Sequence, residues 1–467
     1  MKKKIAIWAV VIFLIGLAVD KGYRIAHYRA ETAMNLVQKN LQAFVGMKGK
    51  LFYTDSHVSL FTQSVILHNV RFAMPNGTII TAKRIKIMPI DQKKMAILTA
   101  NAVHIDYLSL TMDMASLRID NLKIPFNSDT EIFDGFLLQD ISRLSFKKAT
   151  IQGAFIRGEA GILRLGNWQI NHYKLGSKTN QFFDHIEYVR PQSLMGINIL
   201  RISKMGILGA DLASVFVPLN EIKSPVNRDY NLIVQDISFL QNYQPIVKLD
   251  KLDIKTVRSE HLNFAGTVQG DHILTYTNSS IVPFREYLQK IGYSQINGNF
   301  SFDFTYKNDS RQLDVHQFDI EIKDMLKLGM NIQGQFPDRL IQHHVVALNK
   351  WFSFKNLEIT SIDVNLHDVG FYKHIFHTRA EQTGETQQQV GQAIQSMLEQ
   401  SSKGKDFDLD RQFYTALSEV LMQPSRSIQI NVSPPTPIKI RDLTTLNFIE
   451  LFKLANQINM TIKTKNP

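Results

Sequence analysis

The chain has no cysteine, which excludes a disulfide framework, a thiolate nucleophile and a zinc–thiolate centre. Catalytic signatures are missing too. There is no Gly-x-Ser-x-Gly elbow, His-Glu-x-x-His pair, Walker loop or dinucleotide-binding glycine fingerprint. Gly46-Met-Lys-Gly49-Lys50 spaces its glycines too closely for a P-loop and reads as a helix stop followed by a turn. No nucleophile–base pair can be named, so the reading is non-enzymatic, with no cofactor and no metal.

Beyond residue 95 there is no excess of either charge. The 53 Lys/Arg exceed the 42 Asp/Glu by 11, and residues 1–95 supply that whole difference, leaving 38 of each sign in the remainder. A nucleic-acid-binding protein places its basic excess on the folded domain that docks phosphates, so nucleic acid is not expected as a partner. Basic residues beside a bilayer are instead drawn to anionic headgroups by about 1 kcal/mol each. Lys83, Arg84 and Lys86 are the candidates for that role, set against plain solvated lysines.

Long apolar runs are scarce, and the one that stands out is N-terminal. Lys2, Lys3 and Lys4 precede Ile5–Val19, which carries no charge. Such a helix spans about 22 Å, short of the roughly 30 Å hydrocarbon core, with Lys4 and Lys21 able to snorkel and Trp8 suited to an interface. A cleaved signal peptide has the same three-part pattern, with Gly16-Leu-Ala18 as small residues near a cleavage site. The uncleaved anchor is favoured because Tyr23, Ala26, Ala30, Ala33, Val37, Leu41 and Phe44 continue at helical spacing. Either way the lysines stay cytoplasmic and the bulk of the chain crosses.

From about residue 50 the period becomes two. Phe300, Phe302, Phe304 and Tyr306 alternate with Ser301, Asp303 and Thr305, a half-buried strand. Val103–Tyr107 and Ile428–Val432 read alike, with further strands expected near 65–72, 78–87, 116–124, 143–149, 199–203, 231–237, 248–254, 272–277, 317–322 and 357–366. Pro75-Asn76-Gly77 is a hairpin signal, and Lys307–Ser310 a weaker one. No strand–helix–strand alternation is evident.

Helix returns over Thr378–Gln400, with Val390, Ile394 and Leu398 on one stripe, and over Arg411–Met422, with Phe413, Leu417 and Leu421 aligned. A strand, a further helix at Leu446–Ala455 and a strand near Met460–Ile462 close the chain. The expected fold is mainly β with α: an N-terminal transmembrane helix, an elongated antiparallel curled sheet forming either a groove or a sandwich, and a C-terminal helical hairpin. The divisions fall at an anchor (1–22), an amphipathic linker helix (23–48), a β-rich region (49–370), the hairpin (371–425) and a terminal strand–helix–strand segment (426–467).

Histidines offer little. His343 and His344 are adjacent, so on a strand they face opposite ways. His374 and His377 can share a helical face near Glu381, and Asp406, Asp408 and Asp410 lack the glycine and closing Glu of a calcium loop. The 29 phenylalanines, against three tryptophans, suit either a packed core or the wall of an acyl-chain groove. Phe300, Phe302, Phe304 and Tyr306 are the groove candidates.

Residues 1–125 resemble the AsmA-like superfamily of bacterial envelope proteins: an anchor (Ile5–Val19), a helix (Ala26–Phe44), then His68-Asn69-Val70-Arg71-Phe72 running into Pro75-Asn76-Gly77-Thr78 and a returning strand, Ile79–Ile87. The chain is shorter than most bridge-forming members, and a glutamine-rich hairpin is not part of their usual pattern. The resemblance implies a single-pass protein of the bacterial inner membrane, its N-terminus cytoplasmic and its bulk periplasmic. It would handle membrane phospholipids or maintain outer-membrane composition through an apolar β-groove. The alternative expectation is a non-enzymatic scaffold that docks other envelope proteins of a secretion or envelope complex.

Overall fold

The computed structural model describes residues 21 and 24–466, leaving out 40, 43–48, 60–61, 92–93, 124–141, 195–196, 214–228, 259–262, 277–284, 339–340, 343–344, 347–355, 404–407, 424 and 441–457. It divides into two compact units: unit 1 comprises Met1–Arg190 with Ala210–Pro218, and unit 2 comprises Pro191–Gly209 with Leu219–Pro467. The fold is mainly β, an open, curled antiparallel sheet with a few helices.

Unit 1 opens with helix α1 (24–39), whose stripe buries Ala30, Ala33 and Val37. Gln38 Nε2 donates to the Tyr53 hydroxyl at 2.8 Å, joining the helix to the first strands. The strands are β1 (Lys50–Phe52), β2 (Asp55–Val58), β3 (Val65–Ala73), β4 (Ile79–Asp91), β5 (Lys94–Tyr107), β6 (Leu110–Lys123), β7 (Phe146–Gly158), β8 (Gly161–Tyr173) and β9 (Thr179–Leu194). Each of β3 to β9 pairs antiparallel with the next, and β1 and β2 both pair with β3. At Pro75-Asn76-Gly77 the chain reverses as its sequence requires. Gly77 takes φ 86°, its N–H donates to the Met74 carbonyl, and the Thr78 N–H donates to Asn76 Oδ1.

The long strands keep one apolar face although their alternation slips by one residue midway. In β3 Val65 and Leu67 are buried, and then Val70 and Phe72. In β5 Ala100 is followed by Val103, and in β9 half-buried Phe183 is followed by buried Ile186. At each slip sits a left-handed residue: Asn69 (φ 48°), Ala102 (φ 49°), Gly153 (φ 59°) and His185 (φ 54°), on alternate strands. Register is unbroken across them, as in Val70↔Ala82↔Val103 beside His68↔Arg84↔Asn101, and Ala154↔Leu165↔Ile186 beside Gln152↔Asn167↔Asp184. The left-handed residues therefore fall on one transverse crease. Two successive residues face outward there, and the apolar rows on either side, Leu67–Ile85–Ala100–Leu117–Ile151–Trp168–Phe183 and Phe72–Ile80–Ile105–Met112–Ile156–Leu163–Tyr188, share the other face.

Unit 2 continues with β10 (Ile197–Ala210), β11 (Tyr230–Gln241), β12 (Gln244–Arg258) and β13 (Phe264–Tyr276), then helix α2 (Arg285–Lys290). Next come β14 (Gln295–Lys307), β15 (Gln312–Ile322) and β16 (Leu326–Gln335), a small hairpin of β17 (Ile341–Gln342) and β18 (Val345–Val346), and β19 (Glu358–Asp368). Helices α3 (Phe371–Thr383), α4 (Gln387–Lys403) and α5 (Asp408–Met422) precede β20 (Ser427–Val432), β21 (Ile438–Lys439) and β22 (Met460–Lys465). Strands β10 to β16 form a meander that β19, β20 and β22 extend. Bulges at Gly270/Ile273, Asp303/Phe304 and Val315/Phe318 bend it. A second crease runs through Asp236 (φ 52°) and His272 (φ 54°).

Two features differ from the sequence reading. The strands of the meanders run to 13–16 residues in many cases, about twice the length expected from alternation, because each crease ends the period without ending the strand. The helical region holds three helices, not two: Gly384 at φ 74° caps α3 before α4 begins. Of the two expected arrangements, a curled sheet or a sandwich, the long strands of each unit form the curled antiparallel sheet. No helix among the described residues is long and apolar enough to cross a membrane. The expected anchor Ile5–Val19 lies outside the described residues, as do His343, His344, Asp406 and the expected helix at 446–455.

A left-handed residue bearing a Cβ costs roughly 1 kcal/mol that glycine avoids. Ala102→Gly is therefore expected to stabilise unit 1 by about that much, although glycine normally weakens a strand by roughly 0.5–1 kcal/mol. Ala115→Gly, exposed in β6 with an ordinary φ, should show the normal loss. Urea midpoints of the two variants check this, and a loss in both would remove the crease from the account.

Candidate functional site

The apolar face of the unit 2 sheet is a set of parallel ladders. The longest is Ile207–Leu232–Ile254–Val268–Phe302–Phe318–Met330–Val364–Ile430–Ile462, ten residues on ten successive strands, each directly paired with the next. Beside it runs Met205–Val234–Leu252–Gly270–Phe300–Ile320–Leu328–Leu366–Ile428. The opposite face carries polar ladders, such as Asp253–Gln269–Ser301–Asp319–Gly329–Asn365–Gln429–Lys463. Period-two patterning on antiparallel strands produces this division.

Burial along the apolar face is uneven. In the long ladder every residue from Ile207 to Ile430 is half-buried, and only Ile462 is buried. Ile462 lies under α5, where Leu409, Ala416 and Val420 pack with Ile428. At another place Phe304 (4% exposed) and Tyr306 (0%) are sealed with Leu313, Val315, Phe336 and Leu357. The four aromatic candidates of β14 are thus split. Phe304 and Tyr306 are core, whereas Phe300 and Phe302 are half-buried members of the ladders. Phe302 packs at 5.1 Å from Phe304 and edge-on to Phe318 at 6.0 Å. Gly270 is required where it stands, because a Cβ there would meet the Phe300 ring at 2.1 Å.

In unit 1, Lys83 and Arg84 are exposed and Lys86 is half-buried. Lys83 stands in the crease row with Asn69 and Ala102, and Arg84 in the adjoining row with His68 and Asn101. A denser basic cluster lies elsewhere. A cleft of ≈ 460 Å³ is lined by Met95, Leu122, Phe146 and Tyr173 together with Lys94, Lys123, Lys147, His172 and Lys174. The sequence signal for it is an apolar–lysine doublet at one end of four strands, at 94–95, 122–123, 146–147 and 173–174.

No group of three or more metal-ligating side chains occurs among the described residues. His377 Nε2 lies 3.3 Å from Glu381 in exposed surroundings, but His374 packs against Tyr293 at 4.6 Å with the rings tilted by 48° and His367 Nδ1 contacts the Arg426 carbonyl. Around buried Tyr293 is a partly buried polar knot. Its hydroxyl donates to the Asp324 carbonyl at 2.6 Å, and the Tyr372 N–H donates to Asp368 Oδ1 at the start of α3. Burial, helped by Asp368, pushes the Tyr293 and Tyr372 phenols up to about 12. Burial also raises the Asp368 carboxyl, against N–H donors that pull it down.

Residues 319–465 match the model of a family described as an uncharacterized protein. That stretch takes in β16 to β22 with α3, α4 and α5. No curated protein matches the chain.

The folded state binds the Asp368 proton more tightly than the unfolded chain does. Its contribution is complete below the ordinary carboxyl value of 3.8 and is lost as pH rises through the raised folded value. Asp368→Asn is expected to remove that loss, so the variant gains stability relative to the parent as pH rises above 3.8. Denaturant midpoints taken across the acid range decide it. Parallel curves for parent and variant would contradict a raised Asp368.

Proposed function

We propose that this chain binds the acyl chains of membrane phospholipids along the apolar face of its unit 2 sheet and catalyses no reaction on them. The observation that carries the reading is the ten-residue apolar ladder, half-buried over nine of its members. A closed core would bury such a row, as it buries Phe304 and Tyr306. An acyl chain recognises a surface of this kind because each methylene removed from water gains about 0.8 kcal/mol without directional bonding. The lack of any catalytic motif supports a binding role. The N-terminal apolar run, the basic excess and the AsmA-like opening support placing it at a bacterial inner membrane with its bulk in the periplasm.

Lipid extracted from the purified chain and analysed by mass spectrometry tests the reading. Phospholipid is expected above a control protein, and Val268→Glu, which puts a charge on the ladder, should cut it by about tenfold. A photoactivatable residue at Phe302 should crosslink to lipid, whereas one at the exposed neighbour Asp303 should not. Absence of lipid together with no crosslink at 302 would sink the proposal.

A further inference from the structure

The cleft of unit 1 is built by repetition. Strands β5, β6 and β7 each bring one apolar side chain to its floor and one lysine to its rim, and β8 brings Tyr173 with Lys174 just past its end. The floor is Met95, Leu122 and Tyr173, all buried, with half-buried Phe146 stacked on Tyr173 at 4.7 Å and 3° between the planes. The rim is Lys94, Lys123, Lys147 and Lys174, all exposed, with His172 exposed beside them. Among the described residues no carboxylate lines it.

The register concentrates positive charge at this end of the sheet. Lys94 and Lys123 stand directly opposite one another in the β5–β6 ladder, so two of the four rim lysines are cross-strand neighbours. The buried Asp211 carboxylate accepts from the Gly176 N–H at 2.9 Å and so braces the loop that carries Lys174. Burial, helped by the Asp211 charge, holds the Tyr173 phenol far above its ordinary value.

We infer that this cleft is a binding site for a phosphate-bearing amphiphile, with the anionic phosphate among the lysines and the adjoining apolar portion on Met95, Leu122, Phe146 and Tyr173. The phosphate comes from a lipid headgroup or from a free phosphate ester, and the apolar floor favours the first. This inference stands apart from the unit 2 ladder, which the variants below leave untouched, so either claim fails without the other.

The test is isothermal titration of the full chain in a non-ionic detergent with three probes: dihexanoyl phosphatidylglycerol, dihexanoyl phosphatidylcholine and inorganic phosphate. The anionic lipid should bind best. Lys123→Gln with Lys147→Gln should weaken it about thirtyfold, at the usual strength of a lysine near an anionic headgroup, and the exposed pair Lys204→Gln with Lys463→Gln should not. Equal affinity of parent and K123Q/K147Q for the anionic lipid would overturn the site. Inorganic phosphate binding as tightly as the lipid would overturn the amphiphile and leave a plain phosphate site.

Discussion

The antiparallel hydrogen-bond ladder fixes which side chain stands beside which, and every surface described above follows from it. Because paired residues point the same way, an apolar residue in one strand extends into a row only if its partner in the next strand is apolar at that register. Ten strands of unit 2 satisfy this at once in the row through Phe302. A one-residue slip anywhere would carry the remainder of the row to the polar face. The creases show how firmly this is held. Left-handed backbone at Ala102 and His185 is accepted because correcting it would put the apolar half of a long strand into water.

At about 4.8 Å between strands, the nine intervals of the long ladder give a contour of about 43 Å. The tails of one leaflet span about half of the roughly 30 Å hydrocarbon core, so the row is long enough for a tail laid across the strands. A dozen methylenes held there would gain about 10 kcal/mol before ordering costs. That is ample for binding and still allows exchange. The helices matter for the same reason: α5 seals the face at Ile428 and Ile462 and so sets where the half-buried stretch stops. The matched family segment, residues 319–465, contains that seal and four of the ten ladder residues, Met330, Val364, Ile430 and Ile462.

Much of the fold could be read from the sequence because the signals were local. Phe300 to Tyr306 alternate cleanly, Pro75-Asn76-Gly77 turns as its residues demand, and Ala30, Ala33 and Val37 fall on one buried stripe. Strands β8, β9 and β16 left no such trace. Gly166 and the left-handed His172 interrupt the first, Pro191 and the left-handed His185 the second, and Gly329 and Gly334 the third. The site was less legible than the fold. Alternation placed Phe300 through Tyr306 on one face, but which of them are sealed depends on Phe336 and Leu357, far along the chain. The basic cleft depends on four lysines spread over some eighty residues, and only the register brings them together.

The central claim is that the ladder of unit 2 is open to an apolar ligand. The absence of cysteine makes it directly measurable, since each introduced thiol is the single reactive one in the molecule. Val268→Cys, Phe302→Cys and Phe318→Cys would be exposed to a maleimide before and after addition of phospholipid, with Tyr306→Cys as the sealed reference. The account predicts that the three ladder thiols react in delipidated protein and are protected by phospholipid, while position 306 reacts in neither state. Ladder thiols as unreactive as position 306 before lipid is added, or equally reactive after it, would contradict the account.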